Sequence, residues 1–519
     1  MQSSIKQRKT HTVWAVFGYC LLIAAGCLLI CSKSSPLYPL NDWSDANIYF
    51  SMGKGMANGR VLYRDIYDHK GPLLYGIHAL AYLLTPESFL GVWLFEILSA
   101  AFFLLGVWKI LTLYGARESA VMALPVVAAL IFVSLSFQMG DSAEEFGLPL
   151  LTWSLYAGLK YLRTEYPSPI PARMLVIQGV LCGSVLWIKF TMLGLHAVWI
   201  LLAFFSRLLR KRTRDAFRTL GWFAVGVAIT TLPWIAYFAW QGALLSWIKT
   251  YLYDNIFLYS GSGESLTLLA RGKAIFRVVR DWVQSNMGYT LPMAFGLIWV
   301  TVSKRCTKAE KWAIWLLMAG TGLGVFISGK SYVYYGLILA VFTVLGFIPV
   351  CLWAEMLARK LVGFLSEKLQ VSAWVYRASI FALTAAVSTL SFVGCYRISP
   401  NVSASFLMPK EKTMQYQFAA IMAETPDATL LNYGFMDAGF YTAAGITPHV
   451  KYFHQTNVPL QEMLDEQVRY ITEGLCDYIV TRGREPASIH DHYELIAEAD
   501  APSDFWYEKV YLYRLKGLR

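Results

Sequence analysis

Charge is scarce in this chain. Of 519 residues only 15% are Asp, Glu, Lys or Arg, while 56% are hydrophobic. That balance excludes an ordinary soluble globular protein, in which about a quarter of the residues are charged. Cysteine is scarce too, with eight residues and no CxxC pair or regular framework. Neither a structural metal site nor a disulfide scaffold is implied. The sequence also lacks a P-loop, a Rossmann fingerprint, HExxH and GxSxG. A nucleotide-driven reaction in the cytosol therefore has no support. Internal repeats and low-complexity tracts are absent as well.

What is present is a series of long apolar runs. A helix needs about 20 apolar residues to cross a hydrocarbon core. The runs centred near Ile23, Ala101, Ala128, Leu155, Val180, Leu201, Ala228, Gly296, Leu317, Ala340 and Ala386 predict roughly eleven spans. WIKFT, with Lys189 at its centre, interrupts one apolar stretch. The expected architecture is a polytopic α-helical membrane protein over residues 1–398, followed by a small α/β domain over 399–519. In that domain KEKTMQYQFAAIMAE and LQEMLDEQVRYITEGL have helical periodicity, and ATLLNYG, DYIVTR and EKVYLYRL read as strands.

Lys and Arg set the orientation. They concentrate near Lys6, Arg8 and Lys9, in SRLLRKRTRDAFR, in SKRCTKAEK, and at Arg359, Lys360, Lys368 and Arg377. The positive-inside rule puts these loops and the N-terminus in the cytoplasm. An odd number of spans then leaves residues 34–72 and the C-terminal domain outside a cell membrane. The chain carries a net +11, but residues 401–519 hold 10 basic and 16 acidic groups, a net −6, so residues 1–400 carry +17. Topology and anionic lipid account for that excess, and no nucleic-acid partner is implied.

The first outer segment, 34–72, is too long to be a mere connector. Asp45 and Tyr49 form a D-x-x-x-Y pair, which a helix would place on one face. A carboxylate there suits a general base for an acceptor hydroxyl, although Ser44-Asp45 also reads as a helix start. Asp68-His69-Lys70 is followed by a Gly-Pro turn. Lys70 suits a phosphate as a point charge, and Arg64 suits it as a planar fork. The ordinary alternative is a snorkelling lysine beside a turn histidine. His69 has no second histidine at ligand spacing.

Other charged groups belong to predicted outer ends. Asp141, Glu144 and Glu145 lie in QMGDSAEEFG, where they fit a second acidic site or a helix N-terminus. Lys189 would contact a phosphate or reach the interface. Lys330 and Tyr334 lie in GKSYVYY, which fits a lipid-phosphate or sugar pocket or an aromatic belt. ARGKAIFRVVRDW is a basic amphipathic stretch suited to the interface plane. NYGFMDAGFYTAAG and HVKYFHQTN offer aromatic and amide side chains that suit either sugar contact or an ordinary core.

The order of these features resembles the GT-C superfamily of membrane glycosyltransferases, above all the aminoarabinose transferase and protein O-mannosyltransferase families. Asp45 with Tyr49 matches the early D-x-x-x-Y. Lys70 stands where the carrier-phosphate lysine is found, here separated from proline by Gly71. Asp141 or Glu144 falls where a second acid occurs, and Lys330 and Tyr334 take the places of an arginine and a histidine. YGFMDAGFYTAAGI and the final YLYR look like the cell-surface polysaccharide branch.

The resemblance implies an inverting hexosyl- or pentosyltransferase that uses a polyprenyl-phosphate sugar and a cell-surface glycan, lipid or polymer acceptor. Asp45 would be the catalytic base. Lys70, Arg64, Lys189 and Lys330 would serve the donor phosphate, and Tyr49, Asp68, His69, Asp141, Glu144 and Tyr334 the substrates. Relatives differ in divalent-metal use, so the cofactor stays open. The rival readings are a transporter or flippase of lipid-linked sugars, and a polysaccharide polymerase or ligase.

The topology is directly testable. A cysteine introduced at Ser488 is expected to react with a membrane-impermeant thiol reagent in intact cells. Labelling only after lysis would place the C-terminal domain in the cytosol.

Overall fold

The computed structural model describes residues 2–259, 268–327, 330, 332–369, 373–501 and 508–518; for 2–11, 268, 362–369 and 373 it describes the backbone alone. Residues 260–267, and Gly329 and Ser331 of GKSYVYY, lie outside the described residues. So do the side chains of Lys6, Arg8, Lys9 and Lys368.

All eleven predicted centres fall in helical elements. Six of the segments are long and apolar enough to cross a membrane: Thr12–Cys31, Leu90–Leu113, Phe190–Leu208, Thr213–Trp240, Val333–Leu361 and Trp374–Ile398. Glu118–Phe132, Ala172–Ile188 and Met287–Val302 are apolar but shorter. The helices holding Leu155 and Leu317, Ala143–Thr164 and Lys308–Phe326, have charged ends, with Glu144 and Glu145 opening the first and Lys308, Glu310 and Lys311 opening the second. Lys189 is extended (φ −160°, ψ 109°) and parts the helix Ala172–Ile188 from the short turn that follows. The chain is a helical membrane protein with a small C-terminal sheet.

The chain divides into two compact units. One comprises Met1–Cys31, Glu96–Thr231 and Thr267–Val402; the other comprises Ser32–Phe95, Leu232–Leu266 and Ser403–Arg519. The first is a bundle of apolar helices. Helices Ala172–Ile188 and Thr213–Trp240 cross where Gly179 meets Gly226, the small-residue contact that lets membrane helices approach closely. Thr307 and Glu310 form a reciprocal capping box at the start of helix Lys308–Phe326.

The second unit joins residues 34–72 to the C-terminal sheet. Helix Ser44–Ala57 carries Asp45 in its first turn and Lys54 in its last, which suits the helix dipole at both ends. Helix Pro72–Leu84 starts with proline in its first turn, where no amide partner is needed. The two helices touch at Gly53, where a β-carbon would lie 2.6 Å from the backbone of His78 and Ala79. The sheet is ordered β1-β2-β4-β3, from β1 Leu430–Asn432, β2 Tyr478–Thr481, β3 Tyr493–Asp500 and β4 Lys509–Leu515. β1 and β2 are parallel; β2–β4 and β4–β3 are antiparallel. Helices Met414–Met422 and Gln461–Thr472 match the predicted periodicity.

Buried polar contacts lock helix Ser44–Ala57 to the C-terminal segment. Lys54 is fully buried and donates to the carbonyls of Tyr441 (2.9 Å) and Ile446 (3.2 Å). Ser51 donates to Asp437 (3.0 Å), and Thr442 donates to Asn47 (3.2 Å). Burial lowers the Lys54 ammonium to about 8, an effect that the neighbouring Asp437 partly offsets.

The helix contact at Gly53 is expected to be intolerant of bulk. Gly53→Ala should cost roughly 1–3 kcal/mol by overpacking and lower the thermal midpoint of the purified protein. Gly18→Ala, at a helical site with open space around it, should leave the midpoint unchanged or raise it slightly. Equal midpoints for wild type and Gly53→Ala would contradict the packing described.

Candidate active site

Asp45, Tyr49, Asp68, His69 and Lys70 form one buried cluster within the second unit. Tyr49 lies one turn after Asp45 and donates its hydroxyl to Asp45 Oδ2 at 3.0 Å. Lys70 Nζ stands 5.6 Å from the centre of the same tyrosine ring. A carboxylate and an ammonium thus flank one aromatic side chain. Asp45, Asp68, His69 and Lys70 are each less than 9% exposed.

The segment between the two helices is held at both its backbone and its side chains. Tyr75, one turn into helix Pro72–Leu84, donates to Asp68 Oδ2 and accepts the Lys70 amide at 2.8 Å. Tyr63 donates to the Lys70 carbonyl at 2.8 Å, from a backbone at φ 69°. Asn255 donates to the His69 carbonyl at 2.7 Å. It lies on a π-helical stretch, Ile248–Tyr259, a form often found at functional sites. Tyr67 donates to Asp254 (3.0 Å), and its amide donates to the Lys451 carbonyl.

Electrostatics sort the protonation states. Burial pushes the Asp68 carboxyl up, but Lys70 and His69 together outweigh it and hold Asp68 far below the usual carboxylate range. Burial lowers the His69 imidazole, and Lys70 lowers it further against the pull of Asp68 and Asp45. The geometry around His69 agrees with that direction. Its Nδ1 lies 3.2 Å from Asp68 Oδ1, off the line of a hydrogen bond, and its Nε2 lies 3.4 Å from Lys70 Nζ. The three consecutive groups thus bias one another, Asp68 toward its charged form and His69 away from protonation.

The remaining sequence candidates have other surroundings. Arg64 is 44% exposed and turns its fork to Asp65 and the Gln241 carbonyl. Asp141, Glu144, Lys189, Lys330 and Tyr334 belong to the other unit. There Lys189 pairs with Glu144 at 2.5 Å and lies 3.6 Å from the Tyr335 ring and 5.5 Å from that of Tyr334. The Asp141 amide donates to Glu96 and Glu145, and Asp141 adopts φ 61°. Lys330 is half-buried. Among the described residues no three His, Cys, Asp or Glu side chains converge as metal ligands.

Sequence reasoning missed several members of the cluster. Tyr63, Tyr75 and Asn255 carry no motif; a tyrosine inside the apolar PLLYGIH was the one available signal. His454 was read within HVKYFHQTN as an aromatic platform. It is 1% exposed and lies close enough to act on the charges of Asp68 and Asp437. Tyr452 and Phe453 of the same stretch are core residues.

No family model matches the chain, and no curated protein matches it. Solved structures do. ArnT from Cupriavidus metallidurans bound to undecaprenyl phosphate superposes with a TM-score of 0.59 at 13% identity, over 95% of this chain and 98% of that one. The apo state of the same protein gives 0.55 at 14% identity, over 96% and 98%. The archaeal oligosaccharyltransferase AglB from Archaeoglobus fulgidus, in complex with an inhibitory peptide and a dolichol-phosphate, gives 0.48 at 12%, over 91% and 69%. The chain thus shares the fold of ArnT over nearly the full length of both chains, a likeness that agrees with the resemblance to the GT-C membrane glycosyltransferases.

The downward shift of His69 has a measurable consequence. Its folded pKa is below the ordinary 6.5. As pH falls through 6.5 the unfolded chain takes up a proton that the folded site resists, so stability should drop from pH 7.5 toward pH 5. His69→Gln should reduce that slope without abolishing it, since the buried His454 is shifted in the same direction. Thermal unfolding across this range is the check. Identical slopes in wild type and variant would contradict the assigned shift.

Proposed function

We propose that this protein transfers a sugar from a polyprenyl-phosphate sugar to a cell-surface glycan, lipid or polymer acceptor at the outer membrane face. The observation that carries the proposal is the convergence of Asp45 and Lys70 on Tyr49 within one buried cluster. A base and a fixed cation side by side are what an attack on a lipid-phosphate sugar needs. The shared fold with ArnT, whose structure holds undecaprenyl phosphate, supports a lipid-phosphate substrate.

In the proposed step Asp45 accepts the acceptor hydroxyl proton as that oxygen bonds to the anomeric carbon. The bond from the anomeric carbon to the phosphate oxygen breaks, and its electron pair leaves with the polyprenyl phosphate. Lys70 stabilises the added negative charge, already in position and largely shielded from water. Displacement from the opposite face inverts the configuration. Asp68, His69, Tyr63 and Tyr75 are positioning residues, since they fix the backbone and ammonium of Lys70. Arg64 is bound to Asp65 at the surface and would reach a phosphate only by leaving that partner. The Lys189 charge is already matched by Glu144. No step here relies on Lys189, Lys330, Asp141, Glu144 or Tyr334.

Turnover of a synthetic polyprenyl-phosphate sugar by the purified protein tests the assignment. Asp45→Asn keeps size and hydrogen bonding but cannot take the proton, so the rate should fall at least about a hundredfold with donor binding retained. Asp42→Asn is the control. Asp42 is ion-paired with Lys33 at 2.8 Å, and its loss should spare the chemistry. Lys70→Ala should weaken donor use strongly, and Lys70→Arg should restore it only in part. Normal turnover by Asp45→Asn together with a dead Asp42→Asn would move the base. Full activity of Lys70→Ala would end the phosphate assignment.

A further inference from the structure

Arg207 is 4% exposed and, among the described residues, has no carboxylate in ion-pair contact. It ends helix Gly194–Leu208, inside the helical unit. Its fork donates to the Ala203 carbonyl (2.9 Å), Ser206 Oγ (2.8 Å), Tyr161 Oη (2.7 Å) and the Ser168 carbonyl (3.3 Å). The buried Nε has no hydrogen-bond partner. Glu310, next in sequence to the cavity-lining Ala309, is paired with Arg163 at 2.8 Å. A buried cation satisfied only by neutral groups is costly unless an anion arrives. A basic residue in a last turn gains something from the helix dipole, but that offsets only a fraction of the cost.

The guanidinium lines a cavity of about 200 Å³ whose other walls include Tyr161, Tyr166, Trp199, Trp312 and Leu317. This is an apolar slot with one cation at its wall. Beside it Arg210 lies 5.1 Å from the Tyr166 ring and donates to its hydroxyl, and Lys211, Arg212 and Arg214 are exposed. Trp312 (69% exposed) and Leu209 (84% exposed) present apolar surface. Apolar walls disfavour a sugar, and the volume is too small for a folded partner. A cation inside and cations at the rim favour an anion with a hydrocarbon body.

We propose that this cavity binds the headgroup of an anionic phospholipid, with its phosphate at Arg207 and its first acyl carbons along Trp199, Leu317 and Trp312. The site lies on the basic side of the bundle, which the positive-inside rule assigns to the cytoplasm. It uses none of the residues in the proposed transfer step. The lipid is a structural ligand here, and its binding does not depend on turnover.

The test uses the full-length protein, delipidated in detergent, and short-chain lipids below their micellar concentration. Native mass spectrometry and thermal shift would follow dihexanoyl phosphatidylglycerol against dihexanoyl phosphatidylcholine. Saturable binding of the glycerol lipid at least tenfold tighter than the choline lipid is expected. Arg207→Gln should weaken it by about tenfold or more, the scale of one charged hydrogen bond. Ala313→Phe fills the cavity with Arg207 intact and should abolish it, which keeps the test open if Arg207→Gln fails to fold. Lys211→Gln should leave it near wild type. Equal binding of the two lipids would overturn the proposal. So would wild-type affinity in Ala313→Phe, or an equal loss in Lys211→Gln. A short polyprenyl phosphate that binds where phosphatidylglycerol does not would reassign the cavity to the transfer substrate.

Discussion

Asp68, His69 and Lys70 are consecutive ionisable residues that all lie out of water. Each would cost several kcal/mol in an apolar interior without a partner. The second unit is arranged around meeting that demand. Asp68 is bonded by Tyr75, and His69 is inserted between opposite charges. The Lys70 backbone is held by Tyr63 and Tyr75, and its ammonium faces Tyr49. Tyr49, on helix Ser44–Ala57, meets the Lys70 ammonium only because that helix lies close to Pro72–Leu84 and the segment before it. Their close approach at Gly53 is therefore a condition of the electrostatics.

The C-terminal segment completes this arrangement from a great distance in sequence. Ser51 meets Asp437, Lys54 meets the carbonyls of Tyr441 and Ile446, and the Tyr67 ring packs 5.2 Å from that of Tyr452. The hydrophobic core under the sheet includes Tyr67 itself, together with Leu431, Tyr452, Ile471, Ile479 and Tyr513. Residues 34–72 and the C-terminal region thus share one core. The proposed function depends on that: a segment meant to present Asp45 as a base beside Lys70 needs a rigid support, and local helix propensity alone does not supply one.

Much of this was legible in the sequence because it rests on composition and local spacing. Long apolar runs announced the helices, and D-x-x-x-Y placed Asp45 and Tyr49 on one helical face. Strands β1, β2 and β4 were visible through Leu, Ile, Val and Tyr. Strand β3 was not. Its residues, YELIAEAD, are rich in Glu and Ala, and as an edge strand it buries little beyond Tyr493. Leu155 and Leu317 lie in helices whose charged ends reduce their apolar length, a feature that a search for apolar centres passes over. Long-range pairing was the least legible feature. Nothing in the order of residues announces that Asn255 bonds the His69 carbonyl, or that Arg64 prefers Asp65 to the cluster. Those outcomes are decided by tertiary packing.

The central claim is that the buried Asp45–Lys70 cluster handles a sugar carried on a single lipid phosphate. Mass-spectrometric analysis of the lipid product after incubation with a synthetic polyprenyl-phosphate sugar and a cell-surface glycan acceptor addresses it most directly. The account predicts stoichiometric release of polyprenyl monophosphate, with the sugar joined to the acceptor in inverted anomeric configuration. Intact donor moved across a bilayer without chemical change would contradict it, as would turnover only with a diphosphate-linked oligosaccharide.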